Sequence, residues 1–80
     1  MRRVSIRLNL EPLMERKGRE LGKSRLTQDE LADLAGIQQG TLSRWMSNKV
    51  DAYKRETLEK LMQVFDCSLE DLFEITTYEE

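Results

Sequence analysis

This chain of 80 residues is 35% charged and 39% hydrophobic, which is typical of one small globular helical domain and not of a disordered segment. It contains no histidine, a single cysteine (Cys67) and no glycine-rich phosphate loop after a strand. These features give no support to acid–base catalysis, to an intrachain disulfide or to a zinc site of ordinary spacing. We therefore expect no enzymatic activity, no cofactor and no metal.

The N-terminal sequence also bounds the location of the protein. Arg2 and Arg3 open the chain, but no apolar segment of a signal peptide follows them. No apolar run approaches the length that spans a bilayer. We expect a cytoplasmic protein without a membrane segment.

The charge is distributed unevenly along the chain. Residues 1–60 hold all 13 Lys and Arg and nine of the 15 Asp and Glu, whereas residues 61–80 hold six acids and no base. The net charge of −2 thus separates into +4 and −6. One side of such a molecule would attract DNA although the mean charge is acidic.

Short strands are predicted at the two ends of the chain. Residues 4–8 alternate apolar and polar side chains, and residues 73–78 are rich in β-branched and aromatic residues. A lone strand is not stable, so the two segments could pair within one chain or between two chains. The alternative is that both ends fray.

The first helix is predicted to begin at an Asn9 cap, with Pro12 tolerated in the first turn. It is expected to end at Gly18 or Gly22. Its apolar face would hold Leu10, Leu13, Met14 and Leu21.

A capped second helix is predicted to begin at Thr27, which forms a capping box with Glu30. Leu26 and Leu31 flank this cap at the spacing of a hydrophobic staple. Leu31, Leu34 and Ala35 are expected to share the buried face.

A tight turn and a third helix are predicted to follow. Gly36 can adopt the left-handed conformation that ends a helix, and Ile37 would fill the corner. The third helix is expected over 38–47, with Leu42 and either Trp45 or Met46 pointing inward. Trp45 is expected to belong to the core and not to stack on a base.

Two further helices are predicted in the C-terminal third. One runs from about Arg55 to Phe65, with Glu56 and Lys60 forming an outward ion pair. Ser68 would cap a short fifth helix. Cys67, between them, is expected to be a buried thiol, with an intermolecular disulfide as the alternative. The inward side chains of the fourth helix would be Leu58, Leu61, Met62 and Phe65, and the fifth helix would carry Leu69, Leu72 and Phe73.

The run over 26–49 resembles the Cro/lambda-repressor (XRE-like) helix-turn-helix family. The matching features are T-Q-D-E-L-A, then G-I, then T-L-S-R-W and a polar turn that ends in lysine. The resemblance implies an all-α, five-helix lambda-repressor-like DNA-binding domain over 1–80. Its helix-turn-helix would span 27–47, with the short strands 4–8 and 73–78 at its ends. Two departures are Gly40 inside the recognition helix and an apparent insertion at 19–25.

A helix of this kind can lie in the DNA major groove. Gln39 suits adenine and Arg44 suits guanine, because each side chain can form two hydrogen bonds to that base. The predicted base-reading residues are Gln39, Gly40, Thr41, Ser43 and Arg44. The predicted phosphate contacts, which set the docking register, are Gln28, Gln38, Ser47, Asn48, Lys49, Lys54 and Arg55.

The sequence thus predicts a sequence-specific regulator of transcription, a repressor, that binds double-stranded DNA. A homodimer is expected, because one short helix reads few base pairs, and its half-sites would lie about 34 Å apart. The alternative is an antitoxin or adaptor that binds a protein partner through its acidic C-terminal tail.

Overall fold

The computed structural model describes residues 2–79, so Met1 and Glu80 of the predicted domain lie outside it. In chain order the elements are β1 (Arg2–Leu8), α1 (Glu11–Glu20), α2 (Gln28–Ala35), α3 (Gln39–Met46), α4 (Arg55–Phe65), a 3₁₀ turn (Leu69–Leu72) and β2 (Phe73–Glu79). None of the helices formed by these residues has the length and apolar character needed to cross a membrane.

The two terminal strands pair with each other inside one chain. They form an antiparallel two-stranded sheet in which Arg2 is opposite Glu79 and Leu8 is opposite Phe73. The N–H of Asn9 donates to the carbonyl of Leu72 at 2.8 Å, which extends the pairing by one bond. The expected strands are present, and each is longer than predicted.

The prediction of five helices is wrong, whereas the mostly helical fold with short terminal strands is as predicted. Residues 2–79 contain four α-helices, and the expected fifth helix is a single 3₁₀ turn over Leu69–Leu72. The sheet explains this difference. Phe73 has extended backbone and pairs with Leu8, so the helix cannot continue through it. The Asp71 carboxylate still accepts from the N–H and hydroxyl of Ser68 at 3.1 and 2.9 Å.

One hydrophobic core joins all the helices to the base of the sheet. Its fully buried side chains are Met14, Leu26, Leu31, Leu42, Leu61 and Leu72. Two predicted core residues lie outside it, since Leu34 is 52% and Leu21 is 49% exposed. Leu34 is exposed because α2 buries the face that carries Leu31, Ala32 and Ala35, and Leu21 because it follows the last residue of α1.

The start of α1 differs from its prediction. Leu10 occupies the N-cap, and the Asn9 amide instead donates to the Glu74 carboxylate at 3.1 Å. Pro12 lies in the first turn, as expected. Asn9 therefore connects the beginning of α1 to β2 and does not cap the helix.

The apparent insertion at 19–25 is part helix and part turn. Arg19 and Glu20 complete α1, and residues 21–25 lead back along it. The N–H of Lys23 donates to the carbonyl of Gly18 at 2.8 Å, and the N–H of Leu26 donates to that of Met14 at 2.9 Å. The returning chain therefore lies directly against Gly18, and an ideal Cβ on this glycine would be 2.3 Å from the Cα of Arg25.

Candidate nucleic-acid interface

The first helix of the helix-turn-helix is fixed at its N-terminus by the predicted capping box. The Thr27 hydroxyl accepts from the N–H of Glu30 at 3.2 Å, and the Glu30 carboxylate accepts from the N–H of Thr27 at 3.0 Å. Leu26 and Leu31 are both fully buried. These contacts confirm the predicted cap and set the direction in which α2 leaves the preceding turn.

The turn between α2 and α3 is also confirmed. Gly36 has φ +69° and ψ +37°, the left-handed conformation that a glycine adopts without a side-chain clash. Ile37 donates its N–H to the carbonyl of Ala32 at 3.0 Å and is buried in the corner. Lys60, on α4, donates to the carbonyl of Gly36 at 3.3 Å and pairs with Glu56 at 3.5 Å. The turn between the two helices is therefore held by the buried Ile37 and by the hydrogen bond from Lys60 of α4.

The second helix buries one face and exposes the other. Leu42 and Trp45 are buried, Met46 is half-buried, and Gln39, Gly40, Ser43 and Arg44 are exposed. At 100° per residue, Gly40 lies near the centre of the exposed face. Nothing lies within 4 Å of the position that a Cβ on Gly40 would take. The middle of this face is therefore bare backbone, flanked by polar side chains on either side.

A groove beside α3 brings several predicted site residues together. Gln38, Thr41, Arg44 and Lys54 line it where α3 faces the loop before α4. Lys49 and Arg55 are exposed in that loop and at the start of α4. Gln39 and Ser43 lie outside the groove, on the other flank of the exposed face.

The cations near α3 differ from several of those on the rest of the molecule. In the part of the chain that the structure describes, Arg44, Lys49, Lys54 and Arg55 form no ion pair. Elsewhere, four cations are neutralised by acids, in the pairs Lys17–Glu20, Lys23–Glu30, Arg25–Glu11 and Lys60–Glu56. Among residues 2–79, four cations without an ion pair are therefore grouped beside α3, although Arg7 and Arg19 also lack one elsewhere.

Asn48 has a structural role that the sequence did not indicate. It has φ +57°, and its side-chain oxygen accepts from the N–H of Leu8 at 2.8 Å. Its amide nitrogen donates to the carbonyl of Leu8 at 3.2 Å. Both polar atoms of this side chain thus bind the backbone at the end of β1. We therefore leave Asn48 out of the proposed phosphate contacts.

Tyr53 connects the recognition helix to the sheet. Its ring packs edge-on against Trp45, with centroids 4.8 Å apart, and against Phe73, with centroids 5.2 Å apart. Trp45 therefore belongs to the core, as predicted. Together with the Asn48 bonds, these rings fix the loop over 47–54 against both α3 and the base of the sheet.

The other polar candidates occupy the ends of the two helices. Gln28 is the first residue of α2 and is half-buried, whereas Ser47 follows α3 and is exposed. The Ser47 hydroxyl donates to the carbonyl of Ser43 at 2.9 Å, so its proton is already in use within the chain. Cys67 is only half-buried against the core, and burial, helped by Asp71, raises the pKa of its thiol.

We expect Asn48→Gly to lower the free energy of unfolding by about 2 kcal/mol, because two hydrogen bonds to Leu8 are lost while the backbone conformation is still allowed. Asp66→Gly is the matched control, since Asp66 also has positive φ, at +49°, and its side chain is exposed. Urea unfolding followed by circular dichroism measures both. Equal effects of the two substitutions would show that the Asn48 bonds contribute nothing.

Comparison with known proteins gives a match to a family of DNA-binding domains. The family described as the Cro/C1-type HTH DNA-binding domain matches residues 19–77. No curated protein matches the chain at the significance required. No solved structure does so either.

Proposed function

Because this chain belongs to the Cro/C1-type helix-turn-helix DNA-binding family, we propose that it regulates transcription by reading double-stranded DNA sequence-specifically. The observation that carries this proposal is the exposed face of α3, which has polar side chains and free cations where the family places its DNA contacts. Repression is the simpler mode of action, because a bound domain obstructs its DNA by occupancy alone.

The base-reading surface consists of Gln39, Gly40, Thr41, Ser43 and Arg44. Gln39 hydrogen-bonds to adenine and Arg44 to guanine, each through two bonds in the major groove. Thr41 and Ser43 are short enough to reach base edges on either flank. Gly40 brings no side chain to the centre of the face, so the backbone of α3 can lie closer to the bases than a larger residue would permit.

Phosphate contacts surround this surface on both sides. Lys49, Lys54 and Arg55 carry charge that no carboxylate of residues 2–79 neutralises. Release of condensed cations from DNA by these side chains makes binding depend on salt. Gln28 and Gln38 are uncharged partners at the N-terminal ends of α2 and α3, where free N–H groups suit phosphate oxygens. Ser47, at the C-terminal end of α3, would donate its hydroxyl to a phosphate in place of the Ser43 carbonyl.

A homodimer is part of the proposal. The recognition helix has eight residues and reads only a few base pairs, whereas two copies about 34 Å apart read two half-sites on one face of DNA.

The alternative role, an antitoxin or adaptor, is favoured by one observation. The acidic strand β2 is mostly exposed and presents Ile75 beside its glutamates.

Selection of bound duplexes from a random DNA library, followed by sequencing, tests the proposed function. We expect an enriched inverted repeat whose half-sites are separated by about one helical turn. If the Gln39→Ala variant selects an inverted repeat with the same base pairs as the wild type does, the assignment of Gln39 to base recognition is wrong. No enrichment at any salt concentration would overturn the DNA-binding proposal and favour the protein-partner alternative.

A further inference from the structure

The paired strands β1 and β2, which we call the ribbon, expose an apolar face. Val4, Ile6 and Ile75 are 67%, 61% and 63% exposed. Side chains alternate along a strand, so Ile6 and Val4 lie on the same face as Leu8, and Ile75 lies on the same face as Phe73. The exposed Leu69 adjoins Ile6, Phe73 and Ile75 in one shallow apolar groove.

Among residues 2–79, nothing covers this face beyond its base. Leu8 and Phe73, at the base of the ribbon, pack on the core, but the apolar pairs farther out do not. A two-stranded ribbon is marginal by itself, and contiguous exposed apolar residues usually mark a surface that binds a partner.

We propose that a second copy of this chain covers the face, with the two ribbons stacked face to face about a two-fold axis parallel to the strands. Beyond Leu8 and Phe73, whose side chains pack on the core of their own copy, this axis places β1 of one copy over β2 of the other. The pairing within each copy is already level by level, from Leu8 with Phe73 outward to Arg2 with Glu79. From the level of Ile6 and Ile75 outward, the same matched residues therefore meet again across the interface.

The charges of the ribbon favour this self-association. β1 carries only basic charged residues (Arg2, Arg3 and Arg7), and the described part of β2 carries only acidic ones (Glu74 and Glu79). Under the proposed axis, Ile6 of one copy meets Ile75 of the other, and Arg2 meets Glu79. The apolar centre of the interface is thus closed at its outer end by two pairs of opposite charges.

Edge-to-edge pairing of two ribbons fits the surface less well. Antiparallel pairing of β1 with a second β1 about Ser5 places Arg3 opposite Arg7, and directly opposed like charges are destabilising. Pairing of β2 with a second β2 avoids that repulsion, but it leaves Val4 and Ile6 uncovered. Only the face-to-face arrangement buries the apolar residues.

Sedimentation equilibrium of the whole chain without DNA tests the proposal. We expect the wild type to dimerise and Ile6→Lys to weaken dimerisation by about tenfold or more, because an ammonium group would be buried without a partner. Ser5→Lys is the matched control: it adds the same charge at the neighbouring position on the opposite face of the ribbon. Ile6 is exposed in the single chain, so the helical circular dichroism of both variants should match the wild type.

Three results would overturn this proposal: a monomeric wild type, which would leave the face to a different partner; a dimer that Ile6→Lys does not weaken; or equal weakening by Ser5→Lys. Since no DNA is present, each result is separate from the outcome of the duplex selection. A chain that selects DNA but stays monomeric would retain the proposed DNA recognition and lose both the homodimer and this interface.

Mixing two variants tests the axis itself. Arg2→Glu alone places only acids at the outer level of the dimer, and Glu79→Arg alone places only arginines there. Each should associate more weakly than the wild type, and an equimolar mixture should form heterodimers more strongly than either variant forms homodimers. Contacts within one chain cannot be restored by mixing. A mixture no tighter than its components would overturn the proposed two-fold arrangement.

Discussion

Gly18→Ala should destabilise the domain by about 3 kcal/mol, although alanine is the better helix former. Gly18 lies inside α1 and is buried against the returning chain. An ideal Cβ there would be 2.3 Å from both the Cα and the carbonyl carbon of Arg25 and 2.6 Å from the nitrogen of Leu26. These are backbone atoms, which cannot rotate away as the end of a side chain can. The turn that leads into α2 would have to move.

Gly40→Ala is the control, because Gly40 also lies in a helix but a Cβ there meets nothing within 4 Å. It should stabilise the chain by up to about 1 kcal/mol through helix propensity alone. Thermal and urea unfolding of both variants, followed by circular dichroism, gives the comparison. If Gly18→Ala also stabilises the chain, the close contact with Arg25 does not limit this position.

Arg44→Ala and Gln39→Ala should each weaken binding to the selected duplex by about tenfold to a hundredfold, since a two-bond contact to a base contributes about 1–3 kcal/mol. Both residues are exposed on α3, so neither substitution removes a core contact. The loss should be largest for the selected sequence, because a base contact discriminates between sequences while a phosphate contact does not.

Two controls remove the same kind of side chain elsewhere. Arg19→Ala deletes an exposed cation near the end of α1, and Gln63→Ala deletes an exposed amide on α4. Fluorescence anisotropy with labelled duplex measures all four affinities at one salt concentration. If Arg19→Ala weakens binding as much as Arg44→Ala does, total charge and not position on α3 determines affinity.

Local signals in the sequence predict the helix-turn-helix closely. The capping box at Thr27, the left-handed turn at Gly36 and the buried Ile37 each depend on neighbours within a few residues, and all three occur as expected. Helix α4 likewise has the predicted bounds and the predicted Glu56–Lys60 pair. Such features can be predicted because the chain itself supplies both partners of the contact nearby.

Contacts between distant residues account for what the sequence did not reveal. The fifth helix is replaced by strand pairing between Phe73 and Leu8, and the Asn48 side chain binds the same Leu8 from 40 positions away. Gly18 has no local motif that marks a close approach to Arg25. The preference of asparagine for positive φ was the one available signal at position 48, and it indicates a turn without naming its partner.

The ribbon also bears on the order in which the chain folds. Asn9 and Glu74, which bond at its base, are separated by 65 positions, while the helices depend on near neighbours. Closing so long a loop costs conformational entropy before the strand contacts can offset it. The helices should therefore form first and the ribbon last. By the same balance the ribbon is the unit that opens most easily while α2 and α3 stay folded. Self-association through its apolar face would then stabilise mainly the ribbon, which folds last. Raising the protein concentration would therefore increase the stability of the ribbon more than that of the helices.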